Sequence, residues 1–175
     1  MTESPRSVAR LRLGSSRDID QLKDLWLELH AHHAEIMPGL APYQAAEDSW
    51  ATRREHYEDL LGRPGTDLVL CTLDTKLVGY GLSHVRPAAD TWLADTWVTG
   101  TRVGEIESLL VRSQHRGQGL GTLILTRMLD RLGSADVDDV IVGALPHNPV
   151  VGLYERYGFQ PAFLYLGRLR HRRSR

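Results

Sequence analysis

Residues 105–132 read EIESLLVRSQHRGQGLGTLILTRMLDRL: a strand, a glycine-rich turn and a helix, in that order. The strand part, EIESLLV, alternates in its first half, with Glu105 and Glu107 on one face and Ile106 and Ser108 on the other. It then becomes a continuous apolar run, Leu109, Leu110 and Val111, as expected of a strand covered on both faces. The turn HRGQGLG places glycine at 117, 119 and 121. The helix repeats Leu120, Leu123, Ile124, Met128, Leu129 and Leu132 at helical spacing.

A strand that feeds a glycine turn opening a helix makes an anion site. The first amides of a helix have no internal partner, and the helix dipole adds partial positive charge there. Glycines let the backbone approach a phosphate without Cβ clashes. Three phosphate-binding patterns have to be separated. The P-loop needs a Gly-Lys pair, and the chain has none. The dinucleotide fingerprint needs G-x-G-x-x-G in an early βαβ unit, and here the spacing is G-x-G-x-G. The third pattern, R-x-x-G-x-G, is satisfied by Arg116, Gly119 and Gly121.

That pattern resembles the signature of the GNAT superfamily, the acyl-CoA-dependent N-acetyltransferases. The preceding strand ending in LLV, the amphipathic helix and the downstream segment NPVVGLYERYGF (148–159) strengthen the match. The plainer reading is a turn that only links a strand to a helix.

Length and composition frame the same reading. The 175 residues suffice for one domain with a sizeable core, and residues 1–175 read as a single domain with 1–8 and 170–175 flexible. No apolar run approaches a membrane span and no secretory signal is visible. Cys71 is alone, so no internal disulfide forms and a cytoplasmic setting is the default. Net charge is −1, but the last eight residues, RLRHRRSR, carry five arginines. Setting them aside leaves 16 basic against 22 acidic residues, a body that suits a cationic amine acceptor. The tail reads as a solvated end; no aromatic interleaving points to nucleic acid.

In chain order, 9–13 reads as an edge strand, and Ser15 with Asp18 as a capping box. A helix follows, with Ile19, Leu22, Leu25, Trp26, Leu29 and Ile36 on its inner face, ending before Pro38. His30, His32 and His33 near its end read as dipole-favoured histidines rather than metal ligands. A second helix covers 48–61, and strands 67–73 and 76–85 form a hairpin. Residues 86–95 read as a polar loop, and 97–102 as a hairpin extension or irregular chain. After the central unit come a buried strand over 139–145, a short helix over 149–157 closed by Gly158, and a final strand over 159–168.

This order, βααβββαβαβ, is similar to the GNAT fold over nearly the whole chain. The resemblance implies an α/β (α+β) architecture: a mixed, mostly antiparallel sheet flanked by helices, splayed between its fourth and fifth strands. It implies acetyl-CoA as co-substrate and no metal. The pantetheine arm would pair with the backbone of Leu109, Leu110 and Val111, and residues 116–122 (Arg116, Gly117, Gln118, Gly119, Leu120, Gly121 and Thr122) would hold the pyrophosphate. Glu107, slightly ahead of Glu105, would serve as base or amine anchor, with a backbone N–H at Leu109 or Leu110 for the oxyanion. Tyr154, in register with Y-x-x-x-G-F, would protonate the leaving thiolate, its phenol being matched to that task at about 10. Asn148 reads as an N-cap ahead of Pro149 and as a coenzyme contact, although the register places His147 where the family's asparagine falls.

The implied activity is acetyl transfer to a primary amine of a small molecule or peptide through a ternary complex. Trp92, Trp97, His84 and Tyr43 are candidate acceptor-side residues. The alternatives are a non-catalytic CoA-binding domain of the same fold, and nucleic-acid binding through the arginine tail. A homodimer is left open.

Overall fold

The computed structural model describes residues 8–39, 41–137, 139–167 and 169. Strand β1 (Ala9–Leu13) runs into the capping box: Ser15 Oγ accepts from Arg17 N–H, and Ser15 N–H donates to Asp18 Oδ2 at 2.9 Å. Arg12 donates to Asp18 at 2.6 Å and is the largest cause of its carboxyl being held at about 2. The box opens a 3-10 helix (Ser16–Leu22) that continues into α1 (Lys23–Ile36). Helix α2 (Ala46–Leu61) follows, then β2 (Thr66–Leu73), β3 (Lys76–Pro87) and β4 (Arg102–Val111). The chain closes with α3 (Leu120–Ser134), β5 (Val140–Val142) and α4 (Val151–Arg156).

The strands lie in sequence order, β1-β2-β3-β4-β5, antiparallel except for the parallel β4–β5 pair. Period-two alternation divides the core into two layers. Leu68, Leu70, Tyr80, Leu82 and Leu110 pack under α1 and α2, against Leu25, Trp26, Trp50 and Tyr57. Val69, Cys71, Val78 and Ile106 pack on the opposite face against Ile124, Leu125 and Met128 of α3. This is the mixed, mostly antiparallel sheet flanked by helices that the sequence implied, splayed between β4 and β5.

The splay has a local cause. In the β3–β4 register Leu82 faces Ser108 while Ser83 faces Ile106, so Glu107 is one extra residue on β4. A bulge bends its strand and shifts the side-chain phase. Ile106 packs on the α3 face, yet Ser108 Oγ lies 2.6 Å from Tyr57 OH on the α2 face. The expected pairing of Ile106 and Ser108 on one face is therefore corrected: alternation restarts after Glu107. Pairing with β5 ends at the same point, since Ile106 with Val142 is the last pair. Ser83 Oγ, beside the bulge, is buried without a hydrogen-bond partner among the described residues. Such a group costs roughly 1–3 kcal/mol.

Other expectations shift. The buried strand over 139–145 is a three-residue, half-buried β5, because the chain leaves the sheet where β4 bends away. Residues 97–101 are irregular, and β3 extends to Pro87. The final strand over 159–168 does not form in its described part, and Phe163, Leu164, Tyr165 and Leu166 are exposed. Its apolar content suggested a strand, but Pro161 has no N–H to give a ladder. The expectations for residues 1–7 and for Arg168 and 170–175 lie outside the described residues. No helix among the described residues is long and apolar enough to cross a membrane.

Close approach of α3 to the sheet depends on Gly81 of β3. A Cβ there would overlap the sulfur of Met128 and stand 2.8 Å from Ile124 Cγ2. Gly81→Ala is expected to destabilise the fold by about 1–3 kcal/mol through overpacking. Urea denaturation checks it; an unchanged midpoint contradicts it.

Candidate active site

Beyond Ile106 the β5-facing side of β4 has no paired strand among the described residues. A cavity of about 410 Å³ opens there. Leu109, Leu110 and Val111 form its floor, and Leu29 and His32 of α1 stand on one side. Asn148, Pro149, Val150, Leu153 and Arg156 stand on the other. Its far end is the glycine turn, with Arg116, Gly117, Gly119, Leu120, Gly121 and Thr122 on the lining. Gln118 is exposed in the turn but lies outside that lining.

The turn is built by conformation. Gly117 and Gly119 have φ of +75° and +80°, and Gly119 is the N-cap of α3. An added Cβ at either would meet nothing within 4 Å, so glycine is required by the left-handed backbone and not by crowding. Leu123 N–H returns to Gly119 O at 3.0 Å, and the amides ahead of it have no helical acceptor. Arg116 Nε donates to Val111 O at 3.1 Å, tying the turn to the end of β4.

At the other end of β4 the two glutamates separate. Glu107 Oε1 accepts from Arg53 Nη1 and lies 3.1 Å from His56 Nε2, both on α2. Arg53 in turn lies 4.1 Å from the Trp26 ring centroid, a cation–π contact. Glu105 Oε2 accepts from Arg86 Nη1 at 2.8 Å. His84, its cross-strand partner, brings Nε2 to 3.6 Å from the same oxygen. One acceptor atom from each of His84, Glu105 and Glu107 lies within 4.8 Å of the others. Burial pushes His84 below its ordinary 6.5, against the upward pull of Glu105 and Glu107.

Tyr154 sits on α4 with 6 % exposure, its ring 5.6 Å from Phe159. Burial raises its phenol to about 12. It is not among the residues lining the cavity; Leu153 and Arg156 of the same helix are. Helix α4 begins at Val151, two residues later than the N-cap reading implied. Asn148 instead accepts from Val150 N–H at 3.1 Å, closing the turn before the helix. Between the two neighbours, Asn148 lines the cavity and His147 does not.

The remaining acceptor-side candidates scatter. Trp92 stacks on Phe163 at 5.0 Å and meets Trp97 edge-on. Tyr43 OH donates to His33 O at 2.8 Å, which makes it a clasp on the end of α1. Of the helix-end histidines, His32 lines the cavity, and burial pushes His33 down from its ordinary value. Sequence reasoning missed Arg53, His56 and Arg86. Arg53 lies three residues after Trp50 and four before Tyr57, so it shares their inward face; that spacing was the available signal.

The model of the acetyltransferase (GNAT) family matches residues 26–159. The chain belongs to that family. No curated protein matches it in sequence. Among solved structures, the tetramutant of the BH1408 protein from Bacillus halodurans aligns with TM-score 0.74 at 15% identity, covering 91% of this chain and 99% of that one. A protein from Clostridium acetobutylicum, named a predicted acetyltransferase and solved with acetyl-CoA, aligns with TM-score 0.66 at 16% identity, covering 91% and 96%. AAC(6')-Iy, in complex with the bisubstrate analog CoA-S-monomethyl-acetylneamine, aligns with TM-score 0.65 at 14% identity, covering 94% and 99%. These identities carry the fold; the family match carries acyl transfer as the general activity.

With its phenol at about 12, Tyr154 holds its proton through the range where exposed tyrosines ionise. Absorbance titration at 295 nm should therefore give equal ionisation amplitudes near pH 10 for wild type and Tyr154→Phe. One extra ionising phenol in the wild type near pH 10 contradicts the burial.

Proposed function

We propose that the protein is an acetyl-CoA-dependent N-acetyltransferase that passes acetyl directly to a primary amine of a small molecule or peptide within a ternary complex. The observation that carries this reading is the continuity of the cavity. One cavity runs from the glycine turn at the head of α3 to the β4 backbone at Leu109, Leu110 and Val111, which has no β5 partner among the described residues, and Glu107 stands two residues up that strand. A CoA pyrophosphate at residues 116–122 would send its arm back along Leu109, Leu110 and Val111, adding to β4 as an extra strand does. Its thioester would then arrive near the bulge. Leu109 or Leu110 N–H would meet the oxyanion, and Glu105 and Glu107 would face the incoming amine.

Tyr154 is the proposed proton donor to the thiolate, and its burial keeps that proton available. The reading takes residues 1–175 as one domain, with Cys71 buried in β2 and a cytoplasmic setting. Nothing in it needs a metal.

The burial of Tyr154 outside the cavity lining favours one second reading, a CoA-binding domain that does not catalyse. The two separate in one assay: thiol release from acetyl-CoA across a panel of primary amines, with CoA affinity measured by calorimetry. The proposal expects amine-dependent turnover, lowered roughly 10- to 100-fold in kcat by Tyr154→Phe with CoA affinity kept. CoA binding without turnover selects the second reading. Gly119→Val, which forces a branched residue into φ near +80°, should weaken CoA binding about tenfold or more. Unchanged affinity removes the turn from the site.

A further inference from the structure

We propose that His84, Glu105 and Glu107 form a three-acceptor seat for a primary ammonium group, and that His84 takes the proton which the amine must lose. The inference rests on the acetyl-transfer reading and names its acceptor chemistry.

One nitrogen about 2.9 Å from each of three acceptors can serve atoms up to about 5 Å apart. The atoms offered by His84, Glu105 and Glu107 all lie within 4.8 Å of one another. A primary ammonium has three N–H groups to fill such a seat; a secondary one has two. His84 is the buried member, 8 % exposed, and its contact with Glu105 at 3.6 Å is too long for a hydrogen bond. Glu107 precedes Leu109 by two residues, so the seat lies about 7 Å up β4 from the cavity floor.

The surrounding charges favour His84 over either carboxylate as the proton acceptor. Glu107 Oε1 already accepts from Arg53 and faces His56, and Glu105 Oε2 already accepts from Arg86. Two arginines thus offset two carboxylates. The seat binds an ammonium by hydrogen bonds without excess negative charge to hold its proton in place. The groups facing His84 are Arg86 on its own strand, Glu105 and Glu107 on β4, and His56 on α2. On β2 its cross-strand partner is Thr66, which does not titrate. Burial keeps the imidazole neutral near pH 7, with a free nitrogen lone pair.

The protons balance. The ammonium gives one proton to His84, and the amine lone pair attacks the thioester carbonyl. The C–S bond breaks as the amide forms. The second proton shed by nitrogen is matched by the one the thiolate gains, so products are amide, CoA thiol and protonated His84.

The test uses the full chain, acetyl-CoA, the primary-amine panel and an N-methylated form of its best member. Wild type should show an acidic limb in kcat/KM below pH 6.5, and the N-methylated amine should be at least tenfold poorer. His84→Gln should lose that limb and about 100-fold in kcat, with acetyl-CoA affinity unchanged. An unaltered limb and rate in His84→Gln overturn the proposal, as does equal use of the N-methylated amine. If His84→Gln loses CoA binding and so its fold, ring NMR of wild-type His84 decides: its titration must coincide with the kinetic limb, and a mismatch overturns the proposal. Failure of the parent reading looks different, because wild type itself then acetylates no amine.

Discussion

The extra residue in β4 is the constraint on which this molecule depends. Without it, β4 would keep one phase from Arg102 to Val111, and β5 could follow it along its length. With it, Glu107 and Ser108 both address α2, Leu109 and Val111 turn toward α3, and β5 is released after Ile106. The released backbone floors a cavity that the following turn and α4 complete. A buried Ser83 hydroxyl with no partner among the described residues accompanies this, a local cost the two-layer core absorbs.

The bulge also organises the electrostatics. It brings Glu107 to Arg53 and His56, and Arg53 is itself held over Trp26. Below it, Tyr57 OH bonds both Ser108 and Tyr80, all three buried. Burial raises both phenols, so this network stays neutral beside a charged cluster. Polar groups gathered at that depth hold their geometry only while each has a partner. The proposed acceptor side is therefore an array of hydrogen-bonding groups held by α2, β3 and β4.

Much of this was legible in the sequence because the signals were local. The capping box at Ser15 and Asp18, the period of α3 and the glycines at 117 and 119 each act within a few residues of themselves. The order of elements then followed, and with it the fold. Long-range facts were not legible. Nothing local to Arg53 reveals a partner 54 residues away on β4, and nothing in IESLL announces that one residue is surplus. The final strand misled for the opposite reason: apolar residues such as Phe163 and Leu164 looked like core, although Pro161 argued against a ladder. Asn148 was expected to cap the short helix, but its side chain closes the turn that precedes α4.

The central claim is that the splayed face of β4 and the turn before α3 form one site for a CoA ester. Backbone amide shifts recorded by NMR while CoA is titrated into the full chain test it most directly. The account predicts saturable shifts at residues 109–111 and 117–122, with β1 and β2 little changed. Shifts confined to other elements, or no saturable change, would contradict it.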